Sequence, residues 1–239
     1  MAQKYVMWGD VNNVPFMTLN KGKFECILKN ISLDKFLQYT FNYNTNITSV
    51  SFPKLTTVSG TYSIGYICDQ CTNLTSVSFP ELTTISGNRT MNYAFCNCTN
   101  LTSVSFPKLT TISGTEVMCY AFRSCTNLTS VSFPKLTTVA GENAIYDAFS
   151  SCTNLTSVSF PELTTISASF GLAFIFANCT NLTSVSFPKL TKVTYPATAF
   201  HKAGSSTLTI HLPKALSSLG IANNNGSNSS SYCSFVYDL

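Results

Sequence analysis

The sequence predicts a mainly β, right-handed parallel solenoid of about six to seven coils, capped at both ends. Three observations carry the expectation. Asn-Leu-Thr-Ser-Val-Ser-Phe-Pro begins at Asn73, Asn100, Asn127, Asn154 and Asn181, each start 27 residues after the last, and Asn46 opens an earlier copy with Ile in place of Leu. Self-similarity at a fixed period of this size is the signature of stacked repeats. Inside the copy, Val and Phe alternate with Ser, as a strand with one buried face requires. Charged residues make up only 10% of the 239-residue chain while hydrophobic ones make up 44%, against about 25% charge in an average soluble domain. Such a chain can build a core. It is neither disordered, which needs low hydrophobicity and high charge, nor a coiled coil, which needs Glu and Lys at its flanks.

Each element of a coil has its reason. In the copy spanning 71–97, Leu74, Val77 and Phe79 point inward from a strand, and Thr75, Ser76 and Ser78 face out. Pro80 closes that strand because it cannot donate to a ladder. Leu82 and Ile85 turn inward from a second extended segment, and Gly87, like Gly60, Gly114 and Gly141, permits a tight bend. Ala94-Phe95, Ala121-Phe122 and Ala148-Phe149 supply a third inward edge; the first coil has Ile67-Cys68 there and the fifth Ile175-Phe176. One coil cannot fold alone, so the coils stack and equivalent residues lie about 4.8 Å apart.

Stacking explains the composition. At that spacing a column of like charges would repel itself, whereas Asn can bond amide to amide and Ser and Thr form a neutral hydroxyl face. The one charged column, Lys54, Glu81, Lys108, Lys135, Glu162 and Lys189, mixes signs, with a single like-charged neighbour pair at Lys108 and Lys135.

The motif Ala-Phe-x-x-Cys-x-x-Leu-x-x-Val-x-Phe-Pro is carried by Ala94-Phe95, Cys98, Leu101, Val104 and Phe106-Pro107, with copies around Cys125 and Cys152. It resembles the BspA-type, Treponema-like leucine-rich repeat over about 44–220. The resemblance implies a leucine-rich-repeat solenoid used for surface binding, adhesion or host contact, with no catalytic residues. The period of 27 is longer than the family's usual one of about 23, because the variable segment is enlarged. Repeats this uniform also resemble those of phage-encoded tail or particle proteins.

Domain organisation follows. Residues 1–43 form an N-terminal hairpin and capping half-coil, 44–220 the solenoid, and 221–239 a C-terminal loop and capping strand. Within the first part, 4–19 reads as a hairpin, either a lid or an attachment arm, and 17–43 as a degenerate first coil. Residues 32–38 read as a short helix capped by Ser32. A degenerate seventh copy runs Leu208-Thr209-Ile210-His211-Leu212-Pro213, then Leu216 and Leu219-Gly220. Residues 223–231 read as a loop and 232–239 as an apolar strand folding back over the end.

Ten cysteines are present, five of which (Cys71, Cys98, Cys125, Cys152, Cys179) share one repeat position. They read as free buried thiols acting as small hydrophobes, since a parallel row has poor geometry for bridging. Cys68-Asp69-Gln70-Cys71 resembles a metal or redox pair, but without a second pair no metal is expected. Cys96 and Cys98 are too close in a turn to bridge.

Enzyme constellations fail in turn. His201 and His211 read as surface residues. Glu81 and Glu162 lie three coils apart, roughly 14 Å, beyond the roughly 5–9.5 Å of paired glycosidase carboxylates. No phosphate loop or nucleophile elbow occurs. The chain is therefore expected to be no enzyme, with no catalytic residues, no cofactor and no metal. Net charge of +4 and a pI near 8.5 are too weak a footprint for nucleic acid. No apolar run approaches the roughly 20 residues of a spanning helix, so no membrane insertion is expected. The start lacks a basic segment followed by an apolar run. The expected place is an extracellular surface or virion, with a cytoplasmic stage before release. The repeat creates Asn-x-Thr acceptors at Asn46, Asn73, Asn100, Asn127, Asn154 and Asn181, which arise from the Asn column and read as unglycosylated.

Variation between coils points to the candidate binding site. The segment after the Gly changes from coil to coil, yet its fourth residue (Ile64, Met91, Met118, Ile145, Leu172) is always apolar, hence core. Its sixth is Tyr66, Tyr93, Tyr120, Asp147 and Phe174, with Tyr146 beside the exception. This aromatic row, Tyr66, Tyr93, Tyr120, Tyr146 and Phe174, has two readings: a stack that stabilises the ladder, or a groove for a glycan or peptide. The functional expectation is a binding or adhesion module that recognises a protein or glycan on a host or neighbouring surface. The alternative is a structural subunit of a virion, particle or filament, or a homo-oligomer, joined through the N-terminal hairpin. A third reading, an ice-binding hydroxyl face, is disfavoured by curvature and by the Lys/Glu column.

Overall fold

A computed structural model describes residues 5–9, 15–195, 207–219, 221 and 233–238. Val77 and its equivalents Val50, Val104, Val131, Val158 and Val185 are buried, and the Ser on either side of each is wholly or partly exposed. That alternation builds one face of the solenoid from strands Ser49–Ser51, Ser76–Ser78, Ser103–Ser105, Ser130–Ser132, Ser157–Ser159 and Ser184–Ser186. Their pairing is parallel with equivalent residues opposite one another, as in Ser103 with Ser130 and Val158 with Val185. The ladder falls into two groups, divided between Ser130–Ser132 and Ser157–Ser159. A second parallel sheet runs unbroken through Asn30–Ile31, Thr57–Val58, Thr84–Ser86, Thr111–Ser113, Thr138–Ala140, Thr165–Ser167 and Lys192–Val193. The result is a parallel β-solenoid of about seven turns with a 27-residue period.

Phenylalanines fill the space between the faces in two columns. Phe52, Phe79, Phe106, Phe133, Phe160 and Phe187 stack at 4.9–5.5 Å. Phe95, Phe122, Phe149 and Phe176 form the second column at 5.3–6.0 Å. The columns meet edge to face, Phe79 against Phe95 at 6.1 Å and 70°, the arrangement that ring quadrupoles favour.

The third side of each coil is not a strand. It is a run of turns in which every fourth residue takes a left-handed conformation: Tyr62, Tyr66 and Gln70 in one coil, Arg89, Tyr93 and Asn97 in the next. Such residues cost roughly 1–2 kcal/mol each. The conformation is held because alternate amides bond to the following coil: Ile64 to Thr90, Tyr66 to Asn92, Cys68 to Ala94. The intervening amides close turns within the coil, as Gly65 does on Tyr62. Gly87 bends at φ +91°, and a Cβ there would stand 2.9 Å from the Gly60 nitrogen, so the column of glycines also sets how closely coils approach.

The ends depart from expectation. Residues 32–38 are not a helix. Lys35, Tyr39 and Tyr43 are left-handed and their amides bond to Thr61, Gly65 and Asp69, so this stretch is the turn ladder of a true first coil. The local helical pattern loses because each amide finds a carbonyl on the neighbouring coil. The hairpin is present: Tyr5–Gly9 and Pro15–Asn20 pair antiparallel, and Pro15–Asn20 pairs antiparallel with Lys23–Cys26. It extends the first sheet. At the other end, Leu208–Leu212 continues the parallel ladder and Lys214–Leu219 is a 3-10 helix anchored by buried Leu216. Strand Cys233–Tyr237 runs parallel to Leu208–Leu212. It adds a rung in the same direction and does not fold back. His201 and the stretches 10–14 and 223–231 lie outside the described residues.

Candidate functional site

The turn ladder places an aromatic at the same left-handed position in every coil from Tyr39 to Phe174 except the one that has Asp147 there, and Tyr39, Tyr66, Tyr93 and Tyr120 stack. Tyr66 lies 4.9 Å from Tyr93 at 6°, and Tyr93 lies 4.5 Å from Tyr120 at 25°. Asp147 occupies the sixth position of the next coil, and Tyr146 beside it fills the gap edge-on, 5.8 Å from Tyr120 and 5.2 Å from Phe174. All five aromatics of the expected row are therefore contiguous. The row also continues one coil further than expected: Tyr39 stacks on Tyr66 at 4.8 Å and is 51% exposed. Its signal was available, since Tyr39 stands one period before Tyr66.

A second, outer column runs beside the first. Tyr62, Arg89 and Glu116 share the second variable position. Arg89 donates to Glu116 at 2.7 Å and to the Tyr62 hydroxyl at 2.9 Å, and lies 5.7 Å from that ring's centre. The two columns wall a groove of about 630 Å³ that reaches from Tyr62 and Tyr66 to Phe170 and Phe174. Arg123 lies over the Tyr120 ring at 5.5 Å. Glu142 lines the same groove and is exposed. The outer column was missed from sequence because its members differ in type, and only their 27-residue offset ties them together.

Burial sets the ionisation of the site. It raises Tyr66 from 10.0 to about 12, and pushes Tyr93, Tyr120 and Tyr146 up as well. These phenols stay protonated at neutral pH and remain hydrogen-bond donors. Burial also raises the Asp147 carboxyl, against the pull of Ser150 and Arg123.

The remaining candidates are scattered. Glu81 and Glu162 are each held by a lysine of the next coil, Lys108 at 2.6 Å and Lys189 at 2.7 Å. His211, read as a lone surface residue, is half-buried with Nδ1 3.1 Å from Asp238; the partner comes from the last strand, which sequence could not place. Cys71, Cys98, Cys125, Cys152 and Cys179 are buried in one column, away from the groove. No helix among the described residues is long and apolar enough to cross a membrane.

Coils of strand, extended segment and turn ladder around a Leu/Phe core, presenting rows of side chains, define a leucine-rich-repeat protein. Residues 16–89 and 88–230 match the BspA type leucine rich repeat region in six copies, and the chain belongs to that family. Its members are commonly protein-binding or surface-adhesion modules, generally non-enzymatic and typically surface-exposed. Among solved structures, the chain is similar to a leucine-rich repeat protein from Bacteroides ovatus, with 16% identity, TM-score 0.35, and coverage of 88% of this chain and 69% of that one. It is also similar to a T. pallidum leucine rich repeat protein, with 21% identity, TM-score 0.37, and coverage of 77% and 78%. A comparison with curated proteins finds no match.

Proposed function

We propose that this chain is a non-enzymatic recognition module that binds a protein partner along the tyrosine column. The orientation of the rings is the observation that carries this reading. Sugars bind aromatic faces, but each inner ring has its faces covered by neighbours at 4.5–4.9 Å. The column therefore offers ring edges and hydroxyls, which suit the mixed polar and apolar surface of a polypeptide better than a glycan. Tyr supplies rigid contact area at low entropic cost, and here stacking immobilises it further before any partner arrives.

The test is a peptide-display selection on the protein, run beside a glycan array, with the Tyr66→Ala/Tyr93→Ala/Tyr120→Ala variant as comparison. Selected peptides should bind the parent and lose at least about tenfold in the variant. Peptides indifferent to the variant, or glycan binding that the variant abolishes, would reverse the reading.

A second reading, assembly into a filament or particle, is favoured by the sheet edges. The outermost described strands, Tyr5–Gly9 and Cys233–Tyr237, run in the same direction as the solenoid strands. Sheet edges that run in one direction can join head to tail. Oligomers that grow with concentration and vanish on deletion of residues 1–19 would support it, and a monomer at all concentrations would exclude it.

A further inference from the structure

We infer that the occupant of the tyrosine column is a proline-rich segment in the polyproline II conformation, carrying a basic residue; this rests on the protein-binding reading above. Repeat length is the first support. A polyproline II helix has three residues per turn and a rise of 3.1 Å, so one face recurs about every 9.3 Å. Two steps of the column, Tyr66 to Tyr93 and Tyr93 to Tyr120, measure 4.9 and 4.5 Å, and together they match that repeat. A β-strand repeats each face at about 6.8 Å and an α-helix its turn at 5.4 Å. Both drift out of step with the column over its length.

Hydrogen bonding is the second support. The polyproline II backbone makes no internal hydrogen bonds and its carbonyls face outward. The hydroxyls of Tyr66, Tyr93 and Tyr120 find no hydrogen-bond partner among the described residues. They form a line of donors at the spacing of the coils, facing a ligand that has acceptors and few donors. Proline-rich segments dock in aromatic-lined grooves, and the preformed helix binds without a large ordering cost.

Charge is the third. The cation that lines the groove, Arg89, is engaged by Glu116 at 2.7 Å, and Arg123 beside it lies over the Tyr120 ring at 5.5 Å. Glu142 is exposed and has no ion-pair partner among the described residues. The groove thus has an unspent acid toward its Phe174 end, where a Lys or Arg of the ligand can sit.

The experiment is a titration of the full chain with three peptides of about ten residues: proline with one terminal arginine, proline alone, and glycine-serine with one terminal arginine. Two variants accompany it. Tyr66→Phe/Tyr93→Phe/Tyr120→Phe keeps the stack and removes the donors, and Glu142→Gln removes the acid. The arginine-bearing proline peptide should bind at least about tenfold tighter than the glycine-serine peptide. The triple Phe variant should weaken it by about tenfold or more, each lost hydroxyl contributing severalfold. Glu142→Gln should erase the advantage of that peptide over plain proline. Equal binding of proline and glycine-serine peptides, or proline binding unchanged in the triple Phe variant, overturns the inference. If proline peptides fail while display-selected peptides remain sensitive to the tyrosines, only the polyproline inference falls. If the tyrosine variants alter nothing, the protein-binding reading falls with it.

Discussion

The Cys125 thiol donates a hydrogen bond to the Phe95 carbonyl oxygen at 3.2 Å. The bond reaches back 30 residues, one full coil and a corner, and it recurs from Cys98 to Cys68, Cys152 to Phe122 and Cys179 to Phe149 at 3.1–3.3 Å. Cys71 makes the same bond to Phe41 at 2.8 Å. The Phe95 oxygen has no backbone donor among the described residues, so the Cys125 thiol satisfies it. In the other rungs the thiol is a second donor to a carbonyl that already accepts an amide, as Phe122 does from the Cys125 N–H. The chemistry repeated along this column is thus weak hydrogen bonding inside a core.

Cys125→Ala should therefore cost about 1–3 kcal/mol, because it removes the donor and strands the Phe95 oxygen. Cys125→Ser keeps a donor at the same place and should cost less. Urea midpoints of the two variants give the ranking. The nine cysteines from Cys26 to Cys179 are buried, and in the native protein they should resist a disulfide reagent that labels them after unfolding.

Stability should fall in alkali. Burial pushes Cys98, Cys125 and Cys152 well above the ordinary thiol value of 9.0 and raises Cys96 to about 12. Tyr66 moves the same way, from 10.0 to about 12. The folded state therefore holds protons that the unfolded state releases, and stability declines with pH where that difference opens. The contribution is complete below 9.0 and is lost as pH climbs from there toward the raised values. The raised carboxyls of Asp69 and Asp147 tilt the curve in the same direction at lower pH. Melting temperatures measured from neutral pH upward should drop with the onset of phenolate absorbance. A flat profile past 10.0 would contradict the buried column.

Gly114→Ala should destabilise by about 1–3 kcal/mol. The residue sits at φ +118° and its new Cβ would stand 2.2 Å from the Gly87 carbonyl oxygen. Coils that touch through backbone at this corner cannot separate locally, because strands on both sides hold the spacing. Thermal melts of the variant measure the loss.

Glu81→Lys should cost less than about 1 kcal/mol, and the loss should shrink in salt. Glu81 binds Lys108 at 2.6 Å with both side chains more than two-fifths exposed. The substitution would place four lysines in consecutive rungs, whose repulsion added salt screens. The like-charged neighbours Lys108 and Lys135 are already tolerated, since Lys108 turns to Glu81 and away from Lys135.

The strands and the buried columns were legible in the sequence because they depend on alternation and period alone. Val77, Phe79, Leu82 and Ile85 lie where the pattern puts them. The Asn column was legible too: Asn127 donates to Asn100 at 3.4 Å and Asn154 to Asn127 at 3.3 Å. The degenerate first coil was legible over 17–43, but residues 32–38 within it read as a short helix because Ser32 is a plausible cap. Local pattern could not reveal that Lys35, Leu37 and Tyr39 would bond to Thr61, Ser63 and Gly65. Within the candidate groove, the repeated Tyr was visible. The Tyr62–Arg89–Glu116 chain was not, since its members share only a register.

By itself the sequence determined the coil: its length, its inward residues, its neutral outer face and the positions that must stack. Those follow from hydrophobic burial and from the cost of piling like charges 27 residues apart along a whole column. Tertiary structure alone decided the left-handed turn ladder, the direction in which the tyrosine rings face, and the rung added by the last strand. Each of these depends on hydrogen bonds and ring contacts between coils, whose geometry exists only once neighbouring coils are in place.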